Sequence, residues 1–137
     1  FVLPGATDKA IVFAVAPRAD AVCHFVSRDF DQEFRCELDS LHRSPLRWPD
    51  YLQGVIDQFQ RAGHKVRGFN CVFGGDIPVG AGMSSSAAIE GGLAFALNSI
   101  FFSNAANTFP PYDTCPLCSE QFSYEVYVSQ LDIPMHY

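Results

Sequence analysis

The sequence predicts one globular domain that contains both strands and helices, and three observations support this. Short apolar runs bounded by glycine or proline, typical of buried strands, occupy Ala10–Ala16 and Ala21–Ser27. A helical period covers Trp48–Ala62, and a second one begins near Ser84 or Ser85, after a glycine-rich loop. The chain has 137 residues, which is the length of one ordinary domain.

The first two strand-like runs are expected to pair as a hairpin. The segment that connects them contains Pro17 and Asp20, two residue types that favour turns. Charged and aromatic residues alternate in Arg28–Leu38, which is predicted to be an exposed third strand with its turn. The β-prone run Gly68–Phe73 is predicted to be a fourth strand, and Phe122–Val128 is predicted to be one more.

The two helices differ in their sequence signals. The first, Trp48–Ala62, is amphipathic, with Pro49 where a first helical turn tolerates it and Gly63 just past the end. The second contains Gly91 and Gly92, and each glycine costs about 1 kcal/mol relative to alanine in a helix interior. We therefore expect that face of the second helix to pack closely against a neighbour.

Composition argues against several classes of partner. The net charge of −6 and the pI of about 5.0 come without clustered Lys and Arg, so a nucleic-acid partner is not expected. No apolar run reaches the roughly 20 residues that span a bilayer, so no membrane association is expected. Five scattered cysteines do not resemble a secreted disulfide framework, and a reducing cytoplasmic location is expected. Cys115 and Cys118 form a C-x-x-C, but no second pair or suitably spaced histidines follow, so neither a zinc site nor a redox pair is expected.

The segment most informative about chemistry is Gly74–Ala88, with the sequence GGDIPVGAGMSSSAA. Gly80 and Gly82 allow backbone N–H groups to approach an anion, and the N-terminus of the following helix favours negative charge. A flexible surface loop has a similar composition. The succession of strand, glycine loop, serines and apolar helix instead favours a phosphate-binding loop, although the Gly-Lys-Ser or Gly-Lys-Thr of a P-loop is absent.

This loop carries a resemblance to a known family. Ile77–Ala88 resembles the second conserved motif of the GHMP kinases, with Met83 in place of the usual leucine, and the triple serine is typical of the galactokinase branch. Phe1–Ala16 is similar to the segment that follows the sugar-binding signature of that branch. Arg47–Ile56 is similar to its Trp-x-x-Tyr-x-x-Gly-Val helix, so the resemblance covers Phe1–Phe102.

The resemblance implies an α+β fold, namely the GHMP kinase N-terminal domain with its ribosomal protein S5 domain 2-like arrangement. In that arrangement a mixed β-sheet is backed by helices, and the domain is expected to be incomplete here. Residues 1–102 would form part of the ATP-binding domain, and residues 103–137 would form a tail that does not match the family. Because the chain opens at Phe1 directly on a strand-like run, we expect residues to precede it.

The resemblance also implies ATP and Mg²⁺ as cofactors. The loop backbone from Gly80 to Ser85 would wrap the β- and γ-phosphates, with donors from the serine hydroxyls, and Ser86 would help to hold Mg²⁺. Trp48 and Tyr51 either lie near the adenine or only anchor their helix to the core. The predicted nucleotide-binding residues are Pro78, Gly80, Ala81, Gly82, Met83, Ser84, Ser85, Ser86, Ala87 and Trp48.

The function implied by the resemblance is phosphorylation of the anomeric hydroxyl of galactose, or of a similar sugar, by a monomeric parent enzyme. The family segments Gly-Glu-His-x-Asp-Tyr, Ala-Glu-His and Gly-Ile-Met-Asp-Gln do not occur in these 137 residues. No catalytic residue is therefore assigned, and this chain alone is not expected to phosphorylate galactose. The alternatives are a non-catalytic regulatory module that binds ATP and sugar, and a GHMP kinase that acts on another small molecule.

Overall fold

A computed structural model describes residues 9–77 and 85–102 and the backbone of residues 125–128. The strands are β1 (Ile11–Pro17), β2 (Val22–Ser27), β3 (Gln32–Glu37), β4 (Phe69–Gly75) and β5 (Glu125–Val128). The helices are α1 (Trp48–Arg61) and α2 (Ser85–Leu97), and α2 continues as a π-helical turn, Asn98–Phe102. These bounds confirm every predicted strand and helix to within a few residues.

The five strands form one mixed sheet in the order β3-β2-β4-β1-β5. Strand β4 lies between β1 and β2; it runs antiparallel to β1 and parallel to β2. Strand β3 is antiparallel to β2, and β5 is parallel to β1. The expected hairpin of the first two strands is therefore wrong, because β1 and β2 each pair with β4 and not with each other.

The segment between β1 and β2 shows why the hairpin does not close. Its backbone bonds to the start of β4: the Arg18 N–H donates to the Gly68 carbonyl at 2.7 Å, and the Gly68 N–H donates to the Asp20 carbonyl at 3.1 Å. A Cβ at Gly68 would overlap the Asp20 carbonyl oxygen and lie 2.7 Å from the Val22 oxygen. The glycine thus lets β4 insert where the turn would otherwise bring the two strands together.

The core lies between one face of the sheet and the two helices. Alternate residues of each inner strand point to this face, as the strand period of two requires. The rings of Phe13 and Phe73 stack at 5.7 Å across β1 and β4, and Phe25 and Phe69 meet edge to face at 5.4 Å. Side chains that are fully buried here include Phe13, Phe25, Phe69, Phe73, Leu52, Ile56, Leu93 and Leu97.

Helix α2 packs on β1 through its glycine face, as the sequence predicts. Gly92 sits against the ring of Phe13: a Cβ at Gly92 would overlap Cε2 and lie 2.9 Å from Cδ2. The flanking side chains of Ile89, Leu93 and Ala96 are buried on the same helix. Gly92 therefore brings the helix axis closer to the sheet than any other residue type allows.

By length and composition alone, the 18 residues of Ser85–Phe102 could cross a membrane, since their mean hydropathy is 1.2. This segment also packs inside the domain. Its buried residues face the sheet, and Phe102 stacks on Phe59 of α1 at 5.5 Å. Only 22% of the segment is buried in this way, so packing inside the domain accounts for part of its apolar composition.

Three sequence-based expectations fall outside the described residues. They are the phosphate loop over residues 78–84, the C-x-x-C of Cys115 and Cys118, and most of the tail at 103–137. Within that tail the structure describes the backbone of β5, which joins the sheet beside β1. The division of the chain at residue 102 stays a prediction.

The buried hydroxyl of Ser27 gives a stability prediction. Ser27 is fully buried at the end of β2, and its Oγ has no hydrogen-bond partner among the described residues. Because an unsatisfied buried hydroxyl carries an uncompensated desolvation cost, Ser27→Ala is expected to raise the free energy of unfolding by about 1 kcal/mol. Urea denaturation followed by circular dichroism measures this difference.

Ser44 offers the matched control for Ser27. It is also buried, with 6% exposure, but its Oγ accepts the Leu46 N–H at 3.1 Å. Ser44→Ala is expected to lower the free energy of unfolding by about 1 kcal/mol, because that N–H loses its acceptor. Equal destabilisation by both substitutions would contradict the assignment of Ser27 as unsatisfied.

Candidate functional site

A cavity of about 260 Å³ opens at one edge of the sheet. The C-terminal ends of β2 and β4 lie at this edge because the two strands are parallel, and the start of β1 joins them because it is antiparallel to β4. The N-termini of α1 and α2 close the other side. The lining residues are Ile11, Asp29, Phe30, Trp48, Tyr51, Phe73, Ile77, Ser85, Ser86 and Ile89.

The cavity combines a broad apolar wall with a few polar groups. Four of the lining side chains are aromatic, and three are isoleucines. The polar groups are the carboxylate of Asp29 and the hydroxyls of Ser85 and Ser86, the first residues of α2. Such a surface fits a ligand that has a flat, weakly polar body and an anionic end.

The N-terminus of α2 supplies the anion-binding end. The first turn of a helix presents backbone N–H groups without intrahelical partners, and the helix dipole places partial positive charge there. No acidic residue lies in the first turn of α2. Ser85 and Ser86 are half-buried and line the cavity at this terminus. Both can therefore donate to a phosphate or carboxylate in the cavity.

Trp48, the first residue of α1, is fixed by the neighbouring strands. Its indole Nε1–H donates to Gln32 Oε1 at 2.8 Å, and its ring packs against Phe73 at 5.6 Å and Phe34 at 6.4 Å between centroids. The side chain is only 5% exposed. Trp48 therefore anchors α1 to the core and also forms part of the cavity wall. The alternative that it lies near the adenine stays a prediction.

The turn before α1 sets the direction in which Trp48 enters the cavity wall. Arg47 has φ 63°, a left-handed conformation that is uncommon outside glycine. Asp50, in the first helical turn, accepts the Ser44 N–H at 2.7 Å and so ties the preceding loop to the helix. Tyr51 lies one position further along α1 and is 44% exposed at the cavity mouth.

The structure brings three of the predicted site residues together and separates one. Trp48, Ser85 and Ser86 all line the cavity. Ala87 has an exposed side chain and does not line the cavity. The predicted loop residues Pro78, Gly80, Ala81, Gly82, Met83 and Ser84 lie outside the described part of the chain.

Sequence reasoning missed the contribution of the turn between β2 and β3. Asp29 and Phe30 line the cavity from this turn, next to Phe73 at the end of β4. The parallel pairing of Ser27 with Phe73 brings them there, since it places the ends of both strands at one edge. The sequence signal was the predicted helix Trp48–Ala62, which lies between the second strand-like run and the strand that begins at Gly68, because parallel strands need a long crossover connection, usually a helix.

The described residues contain no group of three or more His, Cys, Asp or Glu side chains that could hold a metal ion. Cys23, Cys36 and Cys71 are free and buried, with Cys23 and Cys36 opposite each other on β2 and β3. The hydrogen bond with Cys36 and burial raise the pKa of the Cys23 thiol, and burial raises that of Cys71. The thiols of Cys23 and Cys71 are therefore protonated near neutral pH, whereas the hydrogen bond with Cys23 lowers the pKa of the Cys36 thiol.

A known protein family matches a large part of this chain, including helix α2. Residues 50–121, more than half of the chain, match the family described as "GHMP kinases N terminal domain". The match begins within α1 and includes the residues that connect β4 to α2 and all of α2.

Two individual proteins are similar to this chain. A galactokinase from Roseiflexus sp. (strain RS-1) is 37% identical over 95 residues, which are 69% of this chain and 24% of that protein. The crystal structure of Lactococcus lactis galactokinase complexed with galactose matches with a TM-score of 0.58 and 27% identity, over 65% of this chain and 24% of that one. The chain thus spans about a quarter of the length of these relatives.

Proposed function

Since this chain belongs to the GHMP kinases, by the match of residues 50–121 to their N-terminal domain, we propose that it is the ATP-binding part of a galactokinase-like sugar kinase. The observation that carries the proposal is the cavity beside the N-terminus of α2. An aromatic wall for a base and a helix terminus for phosphates adjoin each other there, and Ser85 and Ser86 stand at the junction.

In the proposed complex, ATP lies across the cavity with its adenine against the aromatic wall. Trp48, Tyr51 and Phe73 offer ring faces and edges for the base, and the α2 terminus receives the phosphates. The loop residues Pro78, Gly80, Ala81, Gly82, Met83 and Ser84 would add backbone N–H donors, as their family motif implies, and so would Ala87. This arrangement acts by positioning the phosphates and by offsetting their charge.

The hydroxyl of Ser86 fits a role in holding Mg²⁺. Magnesium in nucleotide sites takes oxygen ligands, mostly from phosphates and water, and needs only one or two from the protein. Ser86 offers such an oxygen at the cavity edge. When bound, the ion would neutralise charge on the β- and γ-phosphates, while Ser86 and the α2 N–H groups hold the phosphate chain in place.

The proposed reaction of the parent enzyme is transfer of the γ-phosphoryl group of ATP to the anomeric hydroxyl of galactose, which gives galactose 1-phosphate. Similarity to galactokinases supports this substrate, and one of the similar structures holds galactose. None of the residues described here is assigned to the transfer step. The chain contributes the nucleotide site, and the sugar site belongs to the rest of the parent enzyme.

A cytoplasmic location is also proposed. The three described cysteines are free, although Cys23 and Cys36 face each other across adjacent strands. Unpaired thiols in such positions are typical of proteins kept in a reducing compartment. The monomeric state stays a prediction, and analytical ultracentrifugation of the purified chain tests it.

Ser86→Ala tests the proposed nucleotide site. Isothermal titration with a non-hydrolysable ATP analogue and Mg²⁺ is expected to show saturable binding to the wild-type chain. The variant is expected to bind about tenfold more weakly, because a hydrogen bond to a charged group contributes about 1.5 kcal/mol or more. The midpoint of thermal unfolding should stay close to wild type, since Ser86 is only half-buried and lies in the first turn of α2.

Ser99→Ala is the control for this titration. Ser99 lies at the far end of the same helical segment, where its Oγ donates to the Phe95 carbonyl at 2.9 Å. It makes the same chemical change away from the cavity and should leave the affinity at the wild-type value. Absence of binding by a folded wild-type chain would overturn the proposed function.

A further inference from the structure

The end of β4 is held from both sides where the chain leaves the sheet. On one side, the Gly75 N–H donates to Asp29 Oδ1 at 3.2 Å. On the other, the Ala10 N–H donates to Asp76 Oδ1 at 2.8 Å and the Asp76 N–H donates to the Ala10 carbonyl at 3.2 Å. Lys9 Nζ lies 3.1 Å from Asp76 Oδ2. Two carboxylates thus bond to backbone N–H groups around this segment.

Close backbone packing reinforces these bonds. A Cβ at Gly74 would lie 2.8 Å from the Arg28 Cβ, and a Cβ at Gly75 would overlap the Ala10 carbonyl oxygen. The segment therefore fits its two neighbours only as glycine. Ile77, two residues after Gly75, is part of the cavity wall.

The charge of these carboxylates works against the ligand proposed for the cavity. The chain carries a net charge of −6, and Asp29 itself lines the cavity with Ser85 and Ser86. The Ala10 N–H and then Lys9 hold the pKa of Asp76 below its usual value, so this group is ionised at neutral pH. A nearby negative charge weakens the binding of a phosphate chain. For the phosphate chain itself, any favourable contribution from these residues must therefore come from geometry.

We propose that Asp29 and Asp76 are positioning residues for the nucleotide: their bonds to the Gly75 and Ala10 N–H groups fix Gly74–Asp76, the segment that leads into Ile77 of the cavity wall. This inference rests on the proposed function. The acceptor oxygens contribute to binding, while the negative charges oppose it. The two contributions separate when aspartate is replaced either by asparagine, which keeps an acceptor oxygen, or by alanine, which does not.

The experiment compares Asp29→Asn, Asp29→Ala, Asp76→Asn and Asp76→Ala by titration with the Mg²⁺ complex of a non-hydrolysable ATP analogue. Each alanine variant is expected to bind up to about fivefold more weakly than wild type, because the affinity can lose at most the net contribution of one internal hydrogen bond that positions the segment. Each asparagine variant is expected to bind at least as tightly as wild type. Thermal midpoints should stay close to wild type, because the Asp29 and Asp76 side chains are exposed.

Asp57→Ala controls for charge alone. Asp57 pairs with Arg61 on the surface of α1 at 2.8 Å and does not line the cavity. The Asp57→Ala substitution removes one negative charge and leaves the β4 segment unchanged. The affinity of this variant for the nucleotide should therefore equal that of wild type or exceed it slightly.

The outcomes are distinguishable. Alanine variants that bind as tightly as the asparagine variants would overturn the positioning role, because charge alone would then set the affinity. Losses of affinity that follow equal losses of thermal stability in both variants would also overturn it, since the role would be structural only. A folded wild-type chain without measurable nucleotide binding would overturn the proposed function, and this inference with it.

Discussion

Replacing Gly92 by alanine is expected to lower the free energy of unfolding by about 2–3 kcal/mol. The new methyl group would overlap Cε2 of Phe13 and lie 2.9 Å from Cδ2 and Cζ of the same ring. Phe13 cannot move aside easily, because it is fully buried and stacks on Phe73 at 5.7 Å. Helix α2 would have to shift away from β1, and this loosens the contact that buries Leu93.

Helix propensity acts in the opposite direction and is smaller. Alanine is favoured over glycine in a helix interior by about 1 kcal/mol, so overpacking still dominates at Gly92. Gly54, in the middle of α1, shows this gain alone because a Cβ there meets nothing within 4 Å. Gly54→Ala is expected to stabilise the domain by up to about 1 kcal/mol.

Urea denaturation of both glycine variants, followed by circular dichroism, measures the contrast. The two substitutions are chemically identical and both lie within helices, so the difference between them isolates the packing of α2 on Phe13. Equal stability of the Gly54 and Gly92 variants would mean that α2 does not sit on β1 at this distance.

Local structure was predictable from the sequence because it depends on local chemistry. The helical spacing of apolar residues in α1, with Pro49 at its start and Gly63 at φ 85° after its end, can be recognised within one continuous segment of the sequence. The close approach at Gly92 also followed from a local anomaly, a glycine where helix propensity disfavours it.

The pairing of strands was not predictable in the same way. A polar turn with Pro17 and Asp20 is compatible with a hairpin, and nothing in those residues reveals that Gly68 will bond between the two strands. Pairing depends on contacts between segments roughly fifty residues apart, whose competing registers the local pattern does not rank. The contribution of Asp29 to the cavity was missed for the same reason, because it follows from the parallel pairing of β2 with β4.

The residues of the candidate site also differ in how far the sequence predicts them. Ser85 and Ser86 could be assigned from a motif, since the chemistry of phosphate binding requires a helix terminus directly after a glycine-rich loop. The aromatic wall could not, because Phe30, Trp48 and Phe73 come from three separate elements. Trp48 and Tyr51 were identified beforehand, and only through the resemblance of their helix to a family segment.

Among substitutions of the cavity-lining residues, Trp48→Ala is expected to lower the free energy of unfolding the most, by about 3–5 kcal/mol. The indole is 5% exposed, contacts Phe34 and Phe73 and donates to Gln32, so truncation leaves a cavity at the start of α1. Chemical denaturation followed by circular dichroism measures this loss. Tryptophan fluorescence cannot be used, because Trp48 is the only tryptophan of the chain and the substitution removes it. A loss below about 1 kcal/mol would contradict the anchoring role.

Tyr51→Ala separates the anchoring role from the binding role in the same cavity. Tyr51 lines the cavity but is 44% exposed, so its truncation should change stability little while weakening nucleotide binding by about fivefold through lost aromatic contact. Fluorescence of Trp48 reports that binding directly, since the indole forms part of the same wall. If Tyr51→Ala leaves the affinity unchanged, the aromatic wall serves packing only, and the nucleotide is held by the α2 terminus alone.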